Sequence, residues 1–142
     1  MPGNRCIRWM AIALAVLMIT GAGLSGCGKK DEPKNKTSVD YTVVEDGDLP
    51  QELKKIIDNK KDKAIRLTYT TKDYTYVVAG YGTRDSSGYS IKVNDVYTGD
   101  NSLYVDTTLI GPSQDEAVNE VDTYPYIVLK MERRDESVVF KM

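Results

Sequence analysis

Beyond residue 63 the hydrophobic pattern takes a period of two in several segments, with a long acidic loop over residues 111–122. A period of two belongs to an extended strand with one face against a core. In residues 64–70, Ile65, Leu67 and Tyr69 alternate with Arg66, Thr68 and Thr70. Residues 74–81 are β-branched, aromatic or small, so they read as a strand. In residues 88–97, Tyr89, Ile91 and Val93 alternate with Ser90, Lys92 and Asn94. Residues 102–110 set Leu103, Val105 and Leu109 against Tyr104, Asp106 and Thr108. Residues 123–131 and 137–142 supply two more strands, and residues 41–45 a short first one. Pro125 cannot donate to a ladder, so the start of its strand is expected at an edge, a bulge or a strand's beginning.

Ahead of this region the period is 3.6. Leu49, Leu53, Ile56 and Ile57 fall on one helical stripe. Asp48 is expected as the N-cap, with Gln51 as its capping-box partner and Pro50 in the first turn. Asn59, Lys60 and Lys61 suit the C-terminal end. The connections are short enough for antiparallel neighbours. The fold class is therefore α+β, mostly β: a meandering antiparallel sheet curled into a small sandwich or partial barrel, with one short amphipathic helix packed on it.

The N-terminal segment reads as an address. Arg5 and Arg8 precede an apolar run over residues 10–24, and Leu24-Ser25-Gly26-Cys27 follows. The run is shorter than the roughly 20 residues that a spanning helix needs. Small residues before a cysteine suit a signal peptidase that cleaves ahead of Cys27, whose thiol then carries a diacylglyceryl group. Residues 1–26 are thus expected as a lipoprotein signal peptide, 27–40 as a flexible tether and 41–142 as one β-rich domain. Cys6 leaves with the signal, so Cys27 is the sole remaining cysteine and forms no disulfide within the chain. Residues 28–38 hold no aromatic or large aliphatic residue, so they cannot bury enough surface to order themselves.

The chain has no His, which excludes His-based triads, His metal ligands and His-based pH switching. No Ser lies in a Gly-x-Ser-x-Gly setting, and the carboxylates fall mostly on turns and exposed faces. No catalytic residue, metal site or cofactor is expected. Removing Arg5 and Arg8 shifts the net charge from −2 to −4, which argues against nucleic acid as a partner. The unusual count is ten tyrosines against one Phe and one Trp. Tyrosines on a sheet mostly pack as half-buried rings, and the same rings can form a binding platform. The lysines from Lys54 to Lys63 read as the solvated side of a helix.

Three segments carry a resemblance: Leu49-Pro50 opening a Lys-rich helix, the strand region Ser87-Gly88-Tyr89-Ser90-Ile91-Lys92-Val93, and Gly111-Pro112 followed by Thr123-Tyr124-Pro125-Tyr126-Ile127-Val128. Together, over residues 49–131, they resemble the C-terminal domain of the PrcB-type protease-complex-subunit family. The resemblance implies an exported, non-catalytic, β-rich accessory domain associated with a protease. The expected function is a lipid-anchored binding module on the extracytoplasmic face of the cell membrane, with a protease or other surface protein as partner. Strand addition beside Tyr124, Pro125 and Tyr126 is the expected mode, with Tyr89 as a further contact. The alternative is binding of cell-wall glycan or wall polymer through tyrosine rings.

Overall fold

A computed structural model describes residues Glu32–Met142. The expected signal peptide, residues 1–26, and Cys27 lie outside the described residues. Eight strands, one helix and one 3-10 turn make up the domain: β1 Thr37–Ser38, β2 Thr42–Val43, the turn Asp46–Asp48, α1 Gln51–Lys60, β3 Ala64–Thr70, β4 Tyr74–Tyr81, β5 Ser90–Gly99, β6 Ser102–Ile110, β7 Tyr126–Glu132 and β8 Ser137–Lys141. They form two four-stranded sheets. The first, in order β1-β5-β6-β8, is here the outer sheet; the second, β2-β7-β4-β3, is the central sheet. The sheets do not close into a barrel, and the mostly-β sandwich expected from the sequence is what the chain adopts.

Two apolar layers hold the stack together. Between the sheets, Val96, Leu103 and Val105 of the outer sheet meet Val77, Leu129 and Met131 of the central one. On the other face of the central sheet, Leu53 and Ile57 of α1 pack on Ile65, Tyr76, Val78 and Val128. The central sheet is therefore buried on both faces. This explains β4, in which every residue from Thr75 to Gly80 is buried; a strand covered on both sides has no polar face to display. Tyr81 and the buried Thr107 share a hydroxyl–hydroxyl hydrogen bond of 2.8 Å, a polar tie between the sheets. Gly80 lies so close to Ile65 across the ladder that a Cβ there would sit 3.0 Å from the Ile65 Cβ.

Several details differ from the sequence expectations. The helix starts at Gln51 with Pro50 at the N-cap, and Asp48 makes no cap bond. Pro50 is the reason: the residue before a proline is driven out of the helical region, and Leu49 is extended at φ −75, ψ 144. Asp48 instead closes the 3-10 turn, its N–H donating to the Glu45 carbonyl at 3.0 Å. One neighbour pair is parallel, β6 with β8. The chain enters the opposite sheet as β7 between them, and that detour restores the direction of β6.

The stretch expected as tether also differs in its second half. Thr37 and Ser38 pair with Thr98 and Tyr97 of β5, and Val39 is buried in the inter-sheet core. Pro33 is buried against Gly99, where a Cβ would come within 2.7 Å of the proline ring. Asp100 and Asn101 both have positive φ, 49 and 61, and make the two-residue hairpin turn that presents Gly99 to Pro33. Burial of one valine and one proline, with ladder bonds from polar residues, is enough to order a segment whose composition predicts none.

Candidate functional site

The register of β7 decides what its two sides offer. On one side it pairs with β4 over seven residues, from Tyr126↔Gly80 to Glu132↔Tyr74. On the other it meets β2 at only two positions, Thr42↔Lys130 and Val43↔Leu129. One further bond follows, from the Val44 N–H to the Val128 carbonyl at 2.9 Å. The first strand then leaves the lane and turns into Asp46–Asp48.

Backbone groups alternate in direction along a strand. Thr123 exchanges two bonds of 2.8 Å with Arg84, and the Pro125 carbonyl accepts from the Tyr81 N–H at 3.0 Å. Residues 123, 125 and 127 therefore point toward β4. The N–H and C=O groups of Tyr124 and Tyr126 point the other way, into the lane that β2 has vacated. Val43, Val44, Glu45, Asp46 and residues 124–128 line a groove of about 360 Å³ at this place.

Pro125 fits the ladder because of a substitution by a side chain. Its ring nitrogen cannot donate to the Tyr81 carbonyl opposite. Arg84 takes that role, donating from Nη2 to the Tyr81 carbonyl at 3.0 Å. The expectation that Pro125 marks a strand's beginning is met, since β7 starts one residue later. Neither Arg84 nor its service to Tyr81 was legible in the sequence, because the need for it arises only once residues 81 and 125 are opposite each other.

The two tyrosines on either side of Pro125 differ. Tyr126 is half-buried against the helix-side core, and its hydroxyl donates to an Asp46 carboxylate oxygen. Burial first, and then the bond to Asp46, raise its phenol well above the ordinary tyrosine range. Tyr124 is 37% exposed, with the Lys61 ammonium 5.3 Å from its ring centre. Lys61 also bonds Asp58 at 3.3 Å. Tyr124, Pro125 and Tyr126 are thus brought into one groove. Tyr89 is not part of its lining; it is half-buried at the same end of the molecule, with the Arg84 guanidinium 5.9 Å from its ring. No local spacing in the sequence places Asp46 against a tyrosine 80 residues on.

A second aromatic pair had not been singled out. Tyr97 and Tyr104 stack across β5 and β6 on the outward face of the outer sheet, with centroids 4.9 Å apart and planes at 8°. The pair is already occupied by the chain itself. The Lys141 Nζ donates to the Tyr97 hydroxyl at 2.7 Å, and the Lys36 ammonium lies 4.3 Å from the Tyr97 ring while bonding Asp95 at 2.6 Å. The hydrogen bond to Asp95 raises the Lys36 pKa, and the bond to Tyr97 raises that of Lys141. Tyr97 is only 3% exposed, so this pair is packing rather than a platform.

No curated protein and no solved structure matches the chain. Residues 75–132, the stretch from β4 through β7 that holds Tyr89, Tyr124, Pro125 and Tyr126, match the family model described as PrcB C-terminal, the family that the sequence motifs resemble.

Proposed function

We propose that this protein is a lipid-anchored, non-catalytic accessory module of the cell envelope that binds a protein partner, a component of a protease complex, along the open side of β7. The observation that carries the reading is the half-filled lane. Four backbone groups of Tyr124 and Tyr126 face a groove where a neighbouring strand would lie, and an extended segment can complete the ladder there. The match to the PrcB C-terminal family supports a protease-complex setting. The anchor is proposed from Leu24-Ser25-Gly26-Cys27; two acyl chains on Cys27 give stable membrane attachment, at about 0.8 kcal/mol per buried methylene.

A photo-crosslinking amino acid placed at Tyr124 in intact cells tests the site, with the same residue at the exposed Lys92 of β5 as control. One protein captured from position 124 and not from 92 supports the reading; the same capture from both, or none from 124, overturns it. Cys27→Ser tests the anchor separately, and unchanged partition of that variant into detergent contradicts lipidation.

The glycan reading keeps one observation of its own. Tyr41 and Tyr74, 39% and 42% exposed, border a groove of about 360 Å³ with Asp40, Lys130 and Glu132. Retention of the full chain on purified wall polymer, lost on Tyr41→Ala, favours it.

A further inference from the structure

The groove beside β7 is not neutral about what could fill it. Its nine lining residues include two carboxylates, Glu45 and Asp46, and no lysine or arginine. Glu45 is exposed, and it sits where β2 leaves the lane. One Asp46 oxygen accepts from Tyr126, which fixes the carboxylate at the rim. The remaining lining is apolar or aromatic: Val43, Val44, Pro125, Ile127 and Val128, between the two tyrosines. The Lys61 ammonium, 5.3 Å from the Tyr124 ring centre, is bonded to Asp58.

The groove at the other end of β2 makes a useful contrast. There the chain supplies its own cation, since the Lys130 ammonium lies 3.9 Å from the Tyr74 ring in a groove that Asp40 and Glu132 also line. The β7 groove also has tyrosine rings and two carboxylates, but no Lys or Arg among its lining residues.

We infer that the β7 groove takes an extended peptide segment in which a Lys or Arg stands beside an apolar residue. The backbone of the segment pairs with Tyr124 and Tyr126, its apolar side chain covers Val44 on the helix side of the sheet, and its cation meets Glu45 and Asp46. This rests on the strand-addition reading and adds to it the chemistry of the bound segment. The half-paired edge makes extended backbone the matching shape, and the uncompensated carboxylates make positive charge the matching sign.

Fluorescence anisotropy with the full chain in neutral detergent tests the inference, using three labelled eight-residue peptides. The first alternates Val and Thr around two Lys; the second replaces both Lys by Glu; the third is the Lys peptide with two non-adjacent residues changed to Pro. The Lys peptide is expected to bind at least tenfold tighter than the Glu peptide, with the gap narrowing as salt is raised. The Pro peptide loses binding, because it cannot complete the ladder. Glu45→Lys, an exposed change outside the core, should erase the preference for Lys without moving the thermal midpoint. Equal affinity for the Lys and Glu peptides, unimpaired binding of the Pro peptide, no binding by any peptide, or an unaltered preference in Glu45→Lys each overturns it. A partner captured at Tyr124 without any charge preference leaves the accessory-module reading standing and removes this inference alone. Failure of both capture and peptide binding removes both.

Discussion

The two sheets each have four strands, yet they live in different surroundings. The central sheet has the outer sheet on one face and α1 on the other. The outer sheet has a core on one face and solvent on the other, where Lys36, Asp95, Tyr104 and Lys141 form a polar surface. The difference is written in the strands. β6 alternates buried and half-buried residues from Ser102 to Thr107, whereas β4 is buried without a break from Thr75 to Gly80. An uninterrupted apolar run beside strictly alternating ones therefore indicates which strand lies in the middle of a layered fold, before any pairing is known.

If the central sheet is one cooperative layer, removing side chains from either of its faces should destabilise the whole domain. Leu129→Ala, in the inter-sheet core, and Leu53→Ala, under the helix, remove fully buried side chains. Each is expected to cost about 2–5 kcal/mol, read as a lowered urea midpoint with one transition by both circular dichroism and fluorescence. A midpoint unmoved by Leu53→Ala would show that the helix layer is separable, and the comparison would break.

Next in size is the hydroxyl pair that ties the sheets. Tyr81→Phe leaves the buried Thr107 hydroxyl without its partner, at a cost of about 1–3 kcal/mol. The double variant Tyr81→Phe/Thr107→Val should recover much of that. A double variant as unstable as the sum of both changes would mean the pair is not what joins the layers.

Alkaline pH probes the groove edge of the central sheet. Burial and Asp46 raise the Tyr126 phenol in the folded state, while an unfolded tyrosine titrates near pH 10. The folded state then holds a proton that the unfolded state releases, so stability is complete below about pH 10 and falls as pH rises beyond it. Tyr126→Phe should flatten that fall between pH 9 and 11. An identical slope in the variant would show that Tyr126 does not govern it.

The smallest effect belongs to the outer face. Lys36 is solvent-exposed, and its ion pair with Asp95 is screened by water and salt. Lys36→Gln should leave the urea midpoint within error. A shift as large as that of Tyr81→Phe would make the outer face a structural layer rather than a wet one.

Much of the fold could be read from the residues. The boundaries 64–70, 74–81 and 102–110 agree with β3, β4 and β6, because period and turn residues are local signals. β5 begins two residues later than expected, after Gly88 at φ 91, and runs on to the hairpin turn at Asp100 and Asn101. The bulge between Val93 and Asp95 also lies within it, where the Asn94 side chain bonds Asp106 and Thr108 instead of holding the alternation. β1 was hidden, since its ordering comes from Val39 and Pro33 meeting surfaces formed far along the chain. The groove was half legible. Pro125 announced an unusual strand start, but Arg84 and Asp46 act on it only after long-range pairing.

The clasp of Pro33 on Gly99 has a mechanical consequence. The chain enters the domain at the β5–β6 hairpin and runs from there along β5, from Thr37↔Thr98 to Ser38↔Tyr97 and then to Val39 beside Val96. The long loops and the groove of Tyr124 and Tyr126 lie at the opposite end of the strands. A pull on the N-terminal side thus runs parallel to β1 and loads its bonds together in shear, with the Val39 plug behind them, rather than peeling them one by one. In the anchored, groove-bound arrangement proposed above, tension would therefore run along β1 and not across it.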